Sequence, residues 1–93
     1  MTTPFHPGKY LTDILYDNQI YQHDLAAAIH CSRQQINNIC GYRRDLTPDM
    51  AYRLGIALGT GTQYWLDLQN NWDIHKCENN PRCKDVQILI TSK

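Results

Sequence analysis

The stretch CSRQQINNICGYRR, residues 31–44, concentrates side chains suited to recognition. The amides of Gln34, Asn37 and Asn38 donate and accept at once, which matches the hydrogen-bonding edge of adenine, and the fork of Arg33 suits guanine or a phosphate oxygen. Residues on the first turn of a helix and one turn later share an edge. Arg33, Gln34, Asn37 and Asn38 are therefore the expected base-facing group. Ser32 and Gln35 fit the S-x-x-Q capping box that opens a helix. Gln35 is expected to be occupied by that cap, with a phosphate within its reach, and the amides around Ser32 at the helix start also suit a phosphate. Arg43 and Arg44, in the exit loop, suit phosphate contacts that add affinity but little discrimination. Polar outward residues are equally ordinary on any short amphipathic helix, so local chemistry permits DNA reading without requiring it.

The elements that must position this face follow from hydrophobic spacing. Pro7 suits a first helical turn, and Tyr10, Leu11, Ile14 and Leu15 recur on one face through about Asn18. A second helix over Gln22 to Ile29 is expected to bury Leu25, Ala26 and Ile29, followed by a tight turn at His30 and Cys31. Ile36, Ile39 and Cys40 form the inward stripe of the Ser32–Cys40 helix, and Gly41 suits a left-handed stop. Thr47-Pro48-Asp49 is a strong start signal: a capping hydroxyl, a proline in the first turn and an acid near the positive helix end. Met50, Ala51, Leu54, Ala57 and Leu58 are the expected inward face of this fourth helix, with Gly59 as its stop. A fifth helix carries Tyr64, Trp65, Leu68 and Trp72 and ends between Ile74 and Glu78. Two short helices around a tight turn, the second with an Arg, Gln and Asn face, make a helix-turn-helix candidate.

Beyond residue 78 the pattern breaks at Asn79-Asn80-Pro81. The expected division is a helix-turn-helix domain over residues 1–78 and a tail over 79–93. Val86 to Thr91 is β-prone, and three readings stand: an edge strand, a contact with a second copy or partner, or a weakly ordered tail. A lone strand has no mate inside an all-helical domain. His75, Cys77 and Cys83 spell H-x-C-x5-C, but no fourth ligand is evident for a zinc site. A disulfide formed on oxidation and no special role are the other readings of the pair. Cys31 and Cys40 read as small buried apolar groups.

Ninety-three residues make one domain, and nine basic against nine acidic side chains exclude a uniformly cationic coat. The balance is locally positive, with four arginines and two aspartates between Arg33 and Arg53. The amino terminus lacks a signal-peptide pattern and no apolar run spans a bilayer, so a cytoplasmic location with reduced thiols and no membrane partner is expected. His6, His23, His30 and His75 are scattered, with no H-x-x-x-H pair or glycine-rich phosphate loop. Neither catalysis nor a cofactor or metal is expected.

From His6 to about Trp72 the chain resembles the HigA-type antitoxins, a VapI-like branch of the XRE/Cro-CI-like helix-turn-helix repressors. The resemblance rests on His6-Pro7-Gly8, Asp24-Leu25-Ala26, Ser32-Arg33, Ile36-Asn37, Ile39 and Arg44. It continues through Leu46-Thr47-Pro48-Asp49-Met50-Ala51, Leu54, Gly59-Thr60 and Tyr64-Trp65-Leu66-Asp67-Leu68-Gln69. It implies an all-α, five-helix lambda-repressor-like domain that forms a homodimer on a palindromic operator in its own promoter. It also implies neutralisation of a small mRNA-cleaving, HigB-like toxin encoded beside it. Three positions depart from the family pattern. His30 stands where glycine is common, and Gly41-Tyr42 replaces Asn-Gly, which makes Tyr42 a further phosphate candidate. Gly61-Thr62 replaces the usual serine or proline before the last helix. A solitary regulator without a toxin, and a protein-binding module that has lost DNA binding, are the alternatives.

Overall fold

The computed structural model describes residues 4–90. Its helices are α1 (Pro7–Asp17), α2 (Gln22–Ala28), α3 (Arg33–Cys40), α4 (Pro48–Ala57), α5 (Thr62–Glu78) and a single-turn α6 (Pro81–Lys84). All regular structure among the described residues is helical. The expected helices α1 to α5 form with boundaries shifted by a residue or two. The sixth was not expected, although Asn80 caps it by accepting from Arg82 N and Pro81 opens it, the same chemistry that starts α4. Val86 to Ile90 forms no strand; its apolar residues lie in the open, Leu89 at 92% exposure. Thr91 of that run lies outside the described residues.

The core is one cluster drawn from every helix except α6. Leu11 and Leu15 of α1, Leu25 and Ala26 of α2, and Ile36 and Ile39 of α3 meet Met50, Ala51 and Leu54 of α4 around the fully buried Trp65 of α5. Each buried Leu, Ile or Met among them contributes about 1.5–3 kcal/mol, so this cluster is what holds helices too short to be stable alone. Cys31 and Cys40 are only half-buried, packed against its edge. Ala57 departs from expectation: α4 turns its Gly55 inward and leaves Ala57 and Ile56 exposed. Gly59 does stop α4, with φ +71°.

The His6-Pro7-Gly8 opening has a structural explanation. His6 caps α1, its Nδ1 accepting from Gly8 N at 2.9 Å, while its Nε2 meets Asp45 Oδ1 at 3.1 Å. The ring, 2% exposed, stacks on Tyr42 with centroids 5.2 Å apart and meets Trp72 edge-on. Gly8 is required by packing and not by backbone angle. A Cβ there would stand 1.9 Å from Ile39 O, so only glycine lets α1 lie this close to the end of α3. Thus the lead fixes the exit of α3 through both Ile39 and Tyr42.

Candidate nucleic-acid interface

α3 is entered through a turn that carries His30 at φ +60°, the left-handed conformation that usually favours glycine. Arg53 of α4 clamps this turn. Its Nη1 donates to Ile29 O at 3.0 Å and His30 O at 3.3 Å, while its Nε pairs with Asp49 at 3.1 Å. The expected capping box is complete: Ser32 Oγ accepts from Gln35 N at 3.1 Å and Gln35 Oε1 accepts from Ser32 N at 3.0 Å. Ile36 and Ile39 are buried, which turns the opposite face of α3 to solvent.

On that face Gln34, Asn37 and Asn38 are organised with Arg43 into one network, of which Arg33 is not a part. Gln34 Nε2 donates to Asn38 Oδ1 at 3.0 Å. Arg43 folds back from the exit loop, its Nε donating to the same Asn38 oxygen at 3.3 Å and its Nη2 to Asn37 Oδ1 at 2.7 Å. Asn37 Nδ2 in turn donates to Gln22 Oε1, at the start of α2, at 3.3 Å. Asn37 is therefore held at both ends. Gln34 Oε1 and Asn38 Nδ2 remain without an intramolecular partner among the described residues, a neighbouring acceptor and donor. Arg33, Gln34 and Asn37 border one shallow concavity.

The helix exit differs from expectation. Gly41 is the C-cap with φ −89°, and it is Tyr42 that adopts the left-handed conformation, at φ +65°. Tyr42 N and Arg43 N bond back to Ile39 O and Asn38 O, which completes the terminal turn one residue later than the glycine suggests. Gly41 instead makes room: a Cβ there would lie 2.6 Å from the Arg43 guanidinium. Tyr42 is half-committed to its stack on His6 yet remains 52% exposed. Arg44 is exposed. The segment's acid, Asp45, faces His6 and Lys76, at 3.1 and 3.7 Å, so its charge is drawn away from the arginines. Burial pushes the Cys31 thiol up, opposed by the nearby Arg53 and Arg44 charges.

Gln22 and Arg53 take part in this arrangement and were not singled out by sequence reasoning. The Asp49–Arg53 spacing of four is a visible signal for an ion pair, but nothing local shows that the arginine also reaches the turn. Gln22 meets Asn37 only through the tertiary packing of α2 on α3. Among the described residues, no group of three or more His, Cys, Asp or Glu side chains is placed to hold a metal ion. Nor is any helix among them long and apolar enough to cross a membrane.

The chain is similar to known proteins over most of its length. The chain is 32% identical over 88 residues to virulence-associated protein I of Dichelobacter nodosus, covering 94% of this chain and 82% of that protein. It superposes on the Pseudomonas aeruginosa antitoxin HigA, solved with the higBA promoter, with a TM-score of 0.83 and 30% identity over 94% of this chain and 99% of that one. Antitoxin GraA in complex with its operator matches with a TM-score of 0.84 and 31% identity, covering 97% of this chain and 95% of that one. No family model matches the chain.

Proposed function

Because the chain belongs to the HigA-type, VapI-like family of helix-turn-helix antitoxins, we propose that it is a sequence-specific DNA-binding antitoxin. It represses its own operon and neutralises a cognate mRNA-cleaving, HigB-like toxin. The observation that carries this reading is the prearranged amide and guanidinium network on the solvent face of α3. Bases in the major groove present paired donors and acceptors. The free Gln34 Oε1 and Asn38 Nδ2 complement the N6–H and N7 of adenine, and Arg33 reaches guanine or a phosphate beside them. Asn37, held by Arg43 and Gln22, joins the base-facing group through the second hydrogen of its Nδ2.

Ser32, Gln35, Tyr42, Arg43 and Arg44 are the proposed phosphate contacts, flanking both ends of α3. A homodimer would set two such helices into successive major grooves, about 34–36 Å apart. The proposed setting is the cytoplasm, where operator and toxin both reside, and the work is recognition and not catalysis.

Titration of the protein against its own upstream region and against scrambled DNA of equal length tests this. Tighter binding to the upstream region, lost in the Gln34→Ala/Asn38→Ala double variant, is expected. Equal affinity for both DNAs would overturn specific repression. Co-purification with the product of the adjacent reading frame tests the toxin partner.

A further inference from the structure

The last turn of α5 and the single turn of α6 face each other across Asn79-Asn80. Asn79 N bonds back to His75 O and Lys76 O, Asn80 N to Cys77 O, and Cys83 N to Asn80 O. The chain thereby reverses and returns Cys83 beside Cys77, a placement that a continuous helix would not give to residues six apart. Both thiols are exposed, and they border one concavity together with Ile74, Glu78 and Lys84. Loss of hydration pushes the Cys83 thiol up, and the neighbouring Cys77 pushes it further. Cys31 and Cys40 lie at the α2–α3 turn and on α3, and neither borders this concavity.

We infer that Cys77 and Cys83 form a reversible intramolecular disulfide, a redox modification site independent of the DNA-reading face. The oxidant class is a low-molecular-weight disulfide such as glutathione disulfide. One cysteine thiolate attacks it, forming a mixed disulfide and releasing one glutathione, which takes up the proton the cysteine has lost. The second cysteine thiolate attacks the protein-side sulfur, closing Cys77–Cys83 and releasing the second glutathione. Two protein thiols are oxidised and one disulfide is reduced to two thiols. The closed ring ties α6 to α5 and fixes the direction in which Val86 to Ile90 leaves the domain.

The full chain is equilibrated with mixtures of reduced and oxidised glutathione, alkylated and digested with trypsin, which cuts after Lys76, Arg82 and Lys84. On oxidation the alkylatable thiols are expected to fall from four to two. The peptides 77–82 and 83–84 should then appear joined, and reduced glutathione should reverse the change. The Cys83→Ser variant is expected to stop at a glutathione adduct on Cys77 under the same conditions. Glutathione adducts that persist on the unaltered chain, crosslinks between chains, or bonds that include Cys31 or Cys40 would each overturn the inference. So would four free thiols at every glutathione ratio. Slower amide exchange at Cys83 and Lys84 in the oxidised form is the expected structural signature, and unchanged exchange there would remove the tie between α6 and α5.

Discussion

Arg43 Nη2 lies 2.7 Å from Asn37 Oδ1 because the arginine chain folds back over Gly41, where no Cβ obstructs it. The Gly41 backbone is ordinary, at φ −89°, so alanine there is tolerated by the main chain and excluded only by the guanidinium. Gly41→Ala is thus a probe of the fold-back alone. Its effect on stability is expected to stay within about 0.5 kcal/mol. Its effect on operator preference is larger: with Arg43 displaced, Asn37 and Asn38 keep only their bonds to Gln22 and Gln34, and about 1 kcal/mol of discrimination is lost, the lower end for one base contact. The ratio of operator to scrambled-DNA affinity measures it. Arg43→Ala should lower that ratio too, and should also reduce the salt slope of binding by about one, because a phosphate contact goes with the side chain. An unchanged ratio in Gly41→Ala would mean that the fold-back does not prepare the reading face.

How far the sequence reveals this arrangement depends on the range of each interaction. The capping box of Ser32 and Gln35 and the Thr47-Pro48 start were legible because they satisfy amides within one turn. The polar face of α3 was legible from the periodicity that buries Ile36 and Ile39. The sequence places Arg43 in the exit loop but does not show its return to Asn37, which depends on which residue of Gly41-Tyr42 takes the left-handed turn. Glycine was the expected choice on conformational grounds, and the His6 stack draws Tyr42 into that role instead. Gln22 and Arg53 act across 15 and 24 residues, and no local pattern encodes such partners.

Gly8→Ala tests the tie between the lead and α3. A Cβ 1.9 Å from Ile39 O, which belongs to the backbone, cannot be relieved by a side-chain rotation. α1 must move away from α3, at a cost of about 2–3 kcal/mol. Urea unfolding should show this as a lower midpoint with an unchanged slope, and thermal unfolding as a fall of roughly 4–8 °C per kcal/mol. A loss below about 0.5 kcal/mol, the range of neutral surface changes, would show that the approach is not rigid.

Gln69 ends the Tyr64–Gln69 motif inside the protein, 6% exposed. Its Oε1 accepts from Leu46 N at 2.7 Å and its Nε2 donates to Asp73 at 2.9 Å. The glutamine thereby satisfies a buried amide just before α4, in the loop that also carries Asp45. Gln69→Leu keeps the volume and strands that amide, so a loss of about 1–3 kcal/mol is expected in chemical denaturation. Hydrogen exchange gives a residue-specific check: the Leu46 amide should lose protection first. Retained protection would require another acceptor and refute this role.

His30 and Tyr42 bracket α3 in the same left-handed conformation, and glycine substitution separates their roles. Left-handed backbone costs a non-glycine residue about 1–2 kcal/mol, whereas glycine costs about 0.4–1 kcal/mol through the unfolded chain. At exposed His30 the difference favours glycine, and His30→Gly is expected to stabilise the protein by about 0.5 kcal/mol on that balance. At Tyr42 the same backbone gain is opposed by loss of the stack on His6, about 0.5–1.5 kcal/mol, together with the area its half-buried ring covers. Tyr42→Gly is therefore expected to destabilise. Paired denaturation curves should show shifts of opposite sign. Shifts of the same sign would mean that the His6 stack contributes less than the strain of the turn it accompanies.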